Sequence, residues 1–181
     1  MSTAVLGRVI VRDKRIENII WVSFFVLATA LGAYVRIPLP FTPVPLTLQT
    51  FFVLLSGAFL GKKSGSVSQL LYFALGGLGL PIFTQIGAIW GPTGGYLAGF
   101  IAASYLVGLL VEKKFNVFYA LILGDLVLLF CGALNLSIFV GGFKNAFFLG
   151  VLPFVAGDIL KILAAVSVMK IVNRDSSLRS E

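Results

Sequence analysis

Histidine is absent from this sequence of 181 residues, and Cys131 is its only cysteine. These two facts exclude a histidine-based catalytic triad, a histidine metal site, an intrachain disulfide and a cysteine-rich metal cluster. Cys131 lies in an apolar run, where a role as a small packing residue is expected. The residue types therefore predict neither a metal site nor a cofactor site.

Charge is also scarce, because Asp, Glu, Lys and Arg make up 12% of the chain, against about 25% in average soluble proteins. Apolar residues reach 59%, and the mean hydropathy is +1.03. Too little polar surface remains to cover a water-facing globule. The composition therefore predicts a multi-pass membrane protein and argues against a soluble enzyme.

Six apolar segments approach the length of roughly 20 residues that a membrane-spanning helix needs. They are 18–35, 46–60, 66–80, 93–111, 115–134 and 146–171. The second and third are short, so polar flanks or a broken helix must help them cross. The expected fold is one all-α transmembrane domain over 1–181, with connections too short for a separate catalytic or nucleotide-binding domain.

The distribution of lysine and arginine tests this topology independently, because cytoplasmic flanks carry the excess of positive residues. One side receives Arg8, Arg12, Lys14, Arg15, Lys62, Lys63, Lys113, Lys114, Lys170, Arg174 and Arg179. The other side receives Arg36 and Lys144, and Lys161 lies within the sixth segment. Both termini are therefore expected to be cytoplasmic in a cell-membrane protein. The net charge of +7 is then an orientation signal that favours anionic lipid rather than nucleic acid.

The basic stretch that ends at Arg15, with the apolar run behind it, also fits a signal peptide whose A-x-A site is Ala28-Thr29-Ala30. That site lies inside the apolar run, and five further segments follow, so a membrane-spanning helix is favoured. Ala28 and Gly32 then form a small-xxx-small patch that allows close packing within the bundle or against a partner.

Two stretches of the sequence cannot be regular helix. Pro38 to Pro45 contains four prolines in eight residues, which imposes an extended path. It is either a stiff lid over the bundle or a linker in which Pro45 begins the next helix. Gly76 to Tyr96 has glycines and prolines on both sides of an apolar loop with Trp90, where backbone can approach a ligand. No GK[ST] sequence follows, so a nucleotide site is excluded.

Ionisable residues inside the predicted spans are the strongest candidates for function, because each costs about 2.5 to 3.5 kcal/mol at the centre of a transmembrane helix. Asp158 and Lys161 lie three residues apart, on one face of the sixth segment. Pairing lowers the cost of the two charges, but a hydrophobic pair would serve stability better, which favours a ligand site over the alternative of a structural ion pair. Asp125 in the fifth segment has no partner nearby in sequence and could pair with Lys161 across helices.

Polar and aromatic residues supply weaker candidates. Hydrogen-bonding groups in the second and third segments are Thr47, Gln49, Gln69 and Tyr72. Trp90, Tyr96 and the phenylalanines could line a pocket for an apolar ligand, although aromatic residues also form the ordinary belt at the membrane interface. No catalytic residue is assigned, since a lipid enzyme that used Asp158 or Asp125 would lack histidine, a metal motif and an activated nucleophile.

Five motifs occur in a fixed order along the chain: Pro43–Thr50, Leu60–Gly65, Gly79–Phe83, Gly91–Tyr96 and Asp158–Lys161. As a set they resemble the BioY family, which comprises biotin-binding S components of energy-coupling factor transporters. The resemblance implies a six-helix S-component fold that captures biotin from the outer side. It also implies two kinds of partner, a transmembrane coupling subunit and cytoplasmic ATPase subunits.

The resemblance further implies which residues bind biotin. Biotin has a ureido ring with two N–H donors and one carbonyl, an apolar thioether ring and a valerate carboxylate. Asp158 would accept a hydrogen bond from a ureido N–H, and Lys161 would donate to the ureido carbonyl or to the carboxylate. Gln49, Trp90 and Tyr96 would add hydrogen bonds or packing.

The chain departs from the family pattern in two places. Thr84 to Ile89 carries no charge, where family members commonly have a longer glycine-rich stretch, sometimes with a basic residue. This difference favours Lys161 as the group that holds the carboxylate. Ala28 and Gly32 only approximate the small-residue patch with which many S components contact the coupling subunit. The rival hypotheses are an S component for another small vitamin and a structural membrane subunit without a ligand.

Overall fold

The computed structural model of this protein describes residues 13–84 and 87–178. Arg8, Arg12 and Arg179, three of the basic residues in the predicted orientation, lie outside these ranges. The elements in chain order are α1 (Lys14–Tyr34), β1 (Arg36–Ile37), β2 (Leu46–Thr47), α2 (Gln49–Gly77), a 3₁₀ turn (Ala88–Trp90), α3 (Gly94–Glu112), α4 (Val117–Phe139), α5 (Phe143–Gly150) and α6 (Val155–Leu178). The described chain is thus a helical bundle with one short β-hairpin.

Helix α1 begins after Asp13, whose side chain accepts a hydrogen bond from the backbone N–H of Arg15 at 2.9 Å. The small residues of this helix, Ala28 and Gly32, are buried within the bundle. A Cβ atom on Gly32 would lie 3.1 Å from the backbone nitrogen of Gln49, so the glycine lets α2 begin directly against α1. The small-residue patch therefore packs inside the chain, as the first of the two alternatives predicts.

The proline-rich segment between α1 and α2 is non-helical, as its prolines predict. It is closed by β1 and β2, which pair antiparallel with Arg36 opposite Thr47. Two residues of strand follow Pro45, and α2 begins only at Gln49. Pro45 therefore does not start a helix, and the linker alternative is wrong on that point.

Helix α2 is a hairpin of two helical arms rather than one straight rod. Gly61, at φ 77° and ψ 177°, interrupts the helical conformation between the arms. Gln49 donates a hydrogen bond to the hydroxyl of Tyr72 at 2.6 Å. In an unbroken helix these residues would be about 35 Å apart at 1.5 Å per residue. The chain therefore folds back at Gly61, between the predicted second and third segments.

Glu112 fixes this turn from the end of α3. Its Oε1 accepts the backbone N–H of Lys62 at 2.9 Å, and its Oε2 lies 3.1 Å from the Lys62 ammonium. A Cβ atom on Gly61 would lie 2.7 Å from the same Oε1. The positive φ therefore favours glycine at residue 61, and a side chain there would also displace the Glu112 carboxylate.

Helices α3 and α4 lie close to the predicted fourth and fifth segments. Asn116 caps α4 by accepting a hydrogen bond from the backbone N–H of Phe118 at 2.9 Å. Helix α4 continues to Phe139, past the predicted end at residue 134. Polar Asn135 and Ser137 therefore lie within a helix that hydropathy alone ended too early.

The sixth segment, predicted as one span over 146–171, is instead two helices. Helix α5 ends at Gly150, α6 begins at Val155, and their axes differ by 54°. Pro153 lies between them, where it lacks an N–H and disfavours helix at the preceding residue. Asp158 is therefore in the first turn of α6, where the helix dipole favours a carboxylate.

The described helices have an apolar exterior as well as an apolar core. Helices α1, α3 and α4 are each long and apolar enough to cross a membrane, and α5 with α6 forms a bent fourth candidate. Large apolar side chains such as Leu31, Phe130 and Ile138 point outward. Such a surface needs lipid around it, which makes the protein a multi-pass membrane protein.

Candidate ligand-binding cavity

A cavity lies at the end of the bundle that carries the β-hairpin and the 3₁₀ turn. It has about 670 Å³ of empty space, including the solvent at its mouth. Its larger apolar lining residues are Val44, Phe83, Leu97, Phe100, Leu128, Leu129 and Phe154. Its polar lining residues are Thr47, Gln49, Thr50, Tyr72, Thr84, Thr93, Tyr96, Asp158 and Lys161. An apolar pocket with a few convergent polar groups is the usual form of a small-molecule site.

Asp158 and Lys161 meet Thr50 at one side of this cavity. The Lys161 ammonium donates to Asp158 Oδ1 at 2.8 Å and to Thr50 Oγ1 at 2.7 Å. Both charged side chains are largely buried, with 3% of the Asp158 side chain and 11% of the Lys161 side chain exposed. The predicted pairing across one face of the helix thus forms, and Thr50 of α2 joins it.

This ion pair leaves hydrogen-bonding capacity unused. Asp158 Oδ2 is buried and has no partner among residues 13–84 and 87–178. The Lys161 ammonium has three donors, of which two are engaged within the same ranges. A buried polar atom without a partner costs about 1 to 3 kcal/mol, and more when it is charged. A ligand with both donors and acceptors would remove that cost.

Gln49 is held in place at the start of α2. Its amide nitrogen donates to Tyr72, and its amide oxygen accepts from the Thr47 hydroxyl at 3.2 Å. Tyr72 in turn donates to the backbone carbonyl of Ile82 at 3.3 Å. Gln49 therefore presents an oriented amide to the cavity. Through Tyr72, it also connects the start of α2 to the loop before the 3₁₀ turn.

Tyr96 contributes its ring to the cavity wall. Its hydroxyl donates to the backbone carbonyl of Gly150 at 2.6 Å. A side chain at Gly132 or Gly150 would collide with this tyrosine, so both glycines make room for it. Since its one donor is already used, Tyr96 offers a ligand packing rather than a donated hydrogen bond.

Trp90 does not join the other predicted site residues. Its side chain is 87% exposed and is not part of the cavity lining. The backbone of the 3₁₀ turn directs Ala88, rather than Trp90, toward the cavity. Trp90 does lie in the loop next to the cavity, but the sequence could not show on which side of the 3₁₀ turn its side chain lies.

Several lining residues were missed by the sequence analysis. Thr50 lies 108 residues before Asp158 in the chain, so no local spacing connects them. Its only signal was its position beside Gln49 in the motif Pro43–Thr50. Leu128 looks like an ordinary helix residue in sequence, and nothing in the sequence distinguishes Phe100 from the other phenylalanines; only the packing of α3 against α4 brings both to the cavity.

Gln69, a hydrogen-bonding candidate from the sequence, lies away from the cavity lining. It belongs to the inner network, which we define as Thr29, Ser56, Ser68, Gln69 and Ser104. All five residues are fully buried, and the network joins α1, both arms of α2, and α3. Its position identifies Gln69 as a helix-packing residue.

Asp125 does not form the cross-helix pair with Lys161 that the sequence left open. Within the described residues, the ion pair of Lys161 is with Asp158. Asp125 is 5% exposed, and its Oδ1 has no hydrogen-bond partner in the same ranges. No group of three metal-ligating His, Cys, Asp or Glu side chains occurs in that part of the chain.

A solved structure has the same fold as this chain. It is the crystal structure, at 2.1 Å, of the S-component for biotin from an ECF-type ABC transporter. The match has a TM-score of 0.83 at 24% sequence identity and covers 90% of this chain and 94% of that one. The fold of the described chain is therefore that of an S component.

Curated relatives match over most of their length. The probable biotin transporter BioY of Pyrococcus horikoshii is 44% identical over 149 residues, which are 80% of this chain and 89% of the relative. The biotin transporter BioY of Thermotoga maritima is 39% identical over 156 residues, which are 82% of this chain and 91% of the relative. The BioY family model matches residues 4–177. The resemblance seen in the motifs is confirmed, and the chain belongs to the BioY family.

Proposed function

We propose that this chain is the substrate-binding subunit of a biotin uptake transporter and that biotin binds in the cavity. It is a transporter subunit rather than an enzyme, as its family indicates. The relatives named above carry the name of biotin transporter, which supports the choice of ligand. The observation that carries the proposal is the buried Asp158–Lys161 pair, with its unused acceptor and donor at the cavity.

The ureido ring of biotin matches this pair. Asp158 Oδ2 would accept from a ureido N–H, and the third donor of Lys161 would bind the ureido carbonyl. The Lys161 ammonium lies 2.8 Å from Asp158 Oδ1, so the two side chains can bind the adjacent N–H and C=O of one ureido group. They are too close to reach the ureido ring and the carboxylate at opposite ends of biotin. The distance therefore supports the ureido carbonyl as the acceptor for Lys161.

The apolar wall suits the rest of the ligand. Phe100, Leu128 and Phe154 would pack against the thioether ring and the valeryl chain. Gln49 would offer its oriented amide at the side of the ring. The valerate carboxylate would point toward the solvent, and Thr84, one of the polar lining residues, could offer it a hydroxyl.

The placement of charge supports a topology of six crossings with the cavity outside the cell. The two arms of α2 would serve as the second and third spans, and both termini would lie in the cytoplasm of a cell-membrane protein. The ion pair of Lys62 and Glu112 brings the turn of α2 next to Lys113 and Lys114. Four lysines thus gather at the end of these helices remote from the cavity, as expected for a cytoplasmic side.

Inward delivery would need an energy source outside this chain. The sequence has no nucleotide-binding motif, and we infer that a transmembrane coupling subunit and cytoplasmic ATPase subunits provide the energy. The solved S-component to which this fold is similar comes from an ECF-type ABC transporter, which supports this inference.

Titration calorimetry of biotin into the purified, detergent-solubilised protein tests the proposal. We expect the wild type to bind. Asp158→Asn should weaken binding by about 10- to 100-fold, because a hydrogen bond to a charged group contributes about 1.5 to 3 kcal/mol. Glu112→Gln is the matched control, since Glu112 lies in the same bundle but away from the cavity lining.

Three results would count against the proposal. Failure of the wild type to bind biotin would refute the choice of ligand, and binding of another vitamin instead would favour the rival S component. Equal binding by Asp158→Asn and wild type would make the ion pair structural.

A further inference from the structure

The contacts proposed above leave the valerate carboxylate of biotin without a positive partner. Among the described residues that line the cavity, Lys161 is the one cation, and the ureido carbonyl would use its free donor. Thr84 could offer the carboxylate a hydroxyl but no charge. The connections at the cavity end of the bundle are 35–48, 78–93 and 140–154. They contain two basic residues, Arg36 and Lys144, and no Asp or Glu, so an anion that arrives there meets positive charge alone.

The β-hairpin places Arg36 beside the cavity. Arg36 lies directly opposite Thr47 in the antiparallel pair of β1 and β2. Residues opposite each other in such a pair project their side chains from the same face, with Cβ atoms about 4.5 to 5.5 Å apart. Thr47 lines the cavity, and its hydroxyl donates to Gln49 at 3.2 Å. The side chain of Arg36 therefore starts next to a residue of the cavity lining, on the same face of the hairpin.

A second, smaller depression lies next to the cavity along the hairpin. It is lined by Arg36, Pro38, Leu39, Thr42, Pro43 and Pro45. Pro45 also lines the cavity, so the two spaces adjoin at this proline. An apolar chain that leaves the cavity past Pro45 thus meets a surface of prolines with one charged side chain, that of Arg36.

The guanidinium of Arg36 is available to an anion. Arg36 is exposed, and it takes part in neither of the two salt bridges found within residues 13–84 and 87–178. A guanidinium presents its N–H donors in a planar fork, which binds a carboxylate through two parallel hydrogen bonds. Arg36 therefore has both the charge and the donor geometry that a carboxylate requires.

We propose that Arg36 binds the tail carboxylate of biotin and thereby makes the site selective for a ligand with an anionic tail. This inference rests on the proposed biotin function. With the ureido ring at Asp158 and Lys161, the valeryl chain would run past Pro45, and the carboxylate would meet the guanidinium at the hairpin. Arg36 then determines specificity at the charged end of the ligand, as the buried ion pair does at the ureido end.

The contribution of Arg36 is limited by its exposure, because water competes for the guanidinium and salt screens its charge. An exposed positive charge at the entrance also speeds the arrival of an anion, and this effect falls with ionic strength. Added salt should therefore weaken the binding of biotin more in the wild type than in a variant without the charge of Arg36.

Calorimetry with two ligands and two full-length proteins tests this assignment. The ligands are biotin and biotinamide, whose tail ends in a neutral amide, and the proteins are the wild type and Arg36→Gln. We expect Arg36→Gln to raise the Kd for biotin about 10-fold, near the lower end for a hydrogen bond to a charged group. The wild type should bind biotinamide about 10-fold more weakly than biotin, and Arg36→Gln should bind the two ligands within about two-fold of each other.

Lys144→Gln is the matched control, because it removes the other basic residue of this end and Lys144 lines neither space. It changes the net charge equally, and we expect it to keep the wild-type Kd for both ligands within about two-fold. Arg36→Lys keeps the charge without the planar fork, so its Kd for biotin should lie between those of the wild type and Arg36→Gln. The melting temperature of Arg36→Gln should stay near that of the wild type, since the residue is exposed.

Three outcomes would overturn the assignment. One is wild-type affinity for biotin in Arg36→Gln, and another is a wild type that binds biotin and biotinamide equally. The third is an equal loss of affinity for both ligands in Arg36→Gln, which would mean that Arg36 acts through the shape of the hairpin. Failure of the wild type to bind biotin would refute the proposed function instead, and the wild-type titration alone identifies that case.

Discussion

Two buried polar clusters in this bundle differ in how completely their hydrogen bonds are satisfied. In the inner network, Ser56 and Ser104 share a hydrogen bond at 2.9 Å, and Gln69 donates to Ser56 at 3.1 Å. The hydroxyls of Thr29 and Ser68 also donate to backbone carbonyls of their own helices. The network contains no charge, and its side-chain atoms are all partnered. It joins helices and has nothing left to offer a ligand.

The cavity cluster, which we define as Thr50, Asp158 and Lys161, is the opposite case. It contains a charged pair, and Asp158 Oδ2 is buried without a partner among the described residues. A fully satisfied network stabilises a fold, whereas a partly satisfied one lowers stability until something binds to it. The comparison indicates that the inner network serves stability alone, whereas the cavity cluster keeps an unused acceptor and an unused donor for a ligand.

The largest expected effect comes from breaking the charge balance of the cavity cluster with Lys161→Met. Removing one partner of a buried ion pair costs about 3 to 5 kcal/mol, because the remaining charge is uncompensated. We expect both a lower free energy of unfolding and loss of biotin binding. Denaturant unfolding and calorimetry measure the two quantities, and unchanged values for both would show that the pair is dispensable.

A smaller effect is expected from breaking the inner network with Gln69→Leu. Interhelical hydrogen bonds in membrane proteins contribute about 0.6 kcal/mol each on average. The hydroxyls of Ser56 and Ser68 keep their backbone acceptors in this variant. We expect a loss of about 1 kcal/mol, or about 2 to 4 °C in melting temperature, with biotin affinity unchanged. Loss of affinity without loss of stability would reverse the roles of the two clusters.

The smallest effect is expected at Trp90. Its side chain is 87% exposed and lies outside the cavity lining, so Trp90→Ala should leave biotin affinity within about two-fold of the wild type. Calorimetry on this variant compares an exposed residue outside the cavity lining with the residues that form the lining. A loss of 10-fold or more would mean that the loop folds over bound biotin and brings Trp90 into contact.

Much of the cavity cluster follows from sequence, because its physical signal is local. Asp158 and Lys161 are conspicuous in an apolar segment, and a spacing of three residues places them on one helical face. Gly61 and its flanking lysines separate the two arms of α2 in sequence as they do in space. The family motifs then connect these residues to a ligand.

The remainder could not be predicted because it depends on distant parts of the chain or on local geometry that hydropathy ignores. Thr50 reaches the cluster only through the packing of α2 against α6. Pro153 is visible in the sequence, yet the apolar run continues across it, and the break between α5 and α6 was missed. The orientation of Trp90 depends on a single turn of 3₁₀ helix.

The most direct test of the account is the rise in melting temperature that saturating biotin causes in the wild type, Asp158→Asn and Gln69→Leu. Ligand that binds only the folded state raises its stability in proportion to the logarithm of its concentration over Kd. We predict that both variants melt below the wild type without biotin, since Asp158→Asn leaves the Lys161 ammonium without its ion-pair partner. With biotin, Gln69→Leu keeps the full rise in melting temperature, while Asp158→Asn loses most of it. A full rise in Asp158→Asn, together with a reduced rise in Gln69→Leu, would contradict the division between the two clusters.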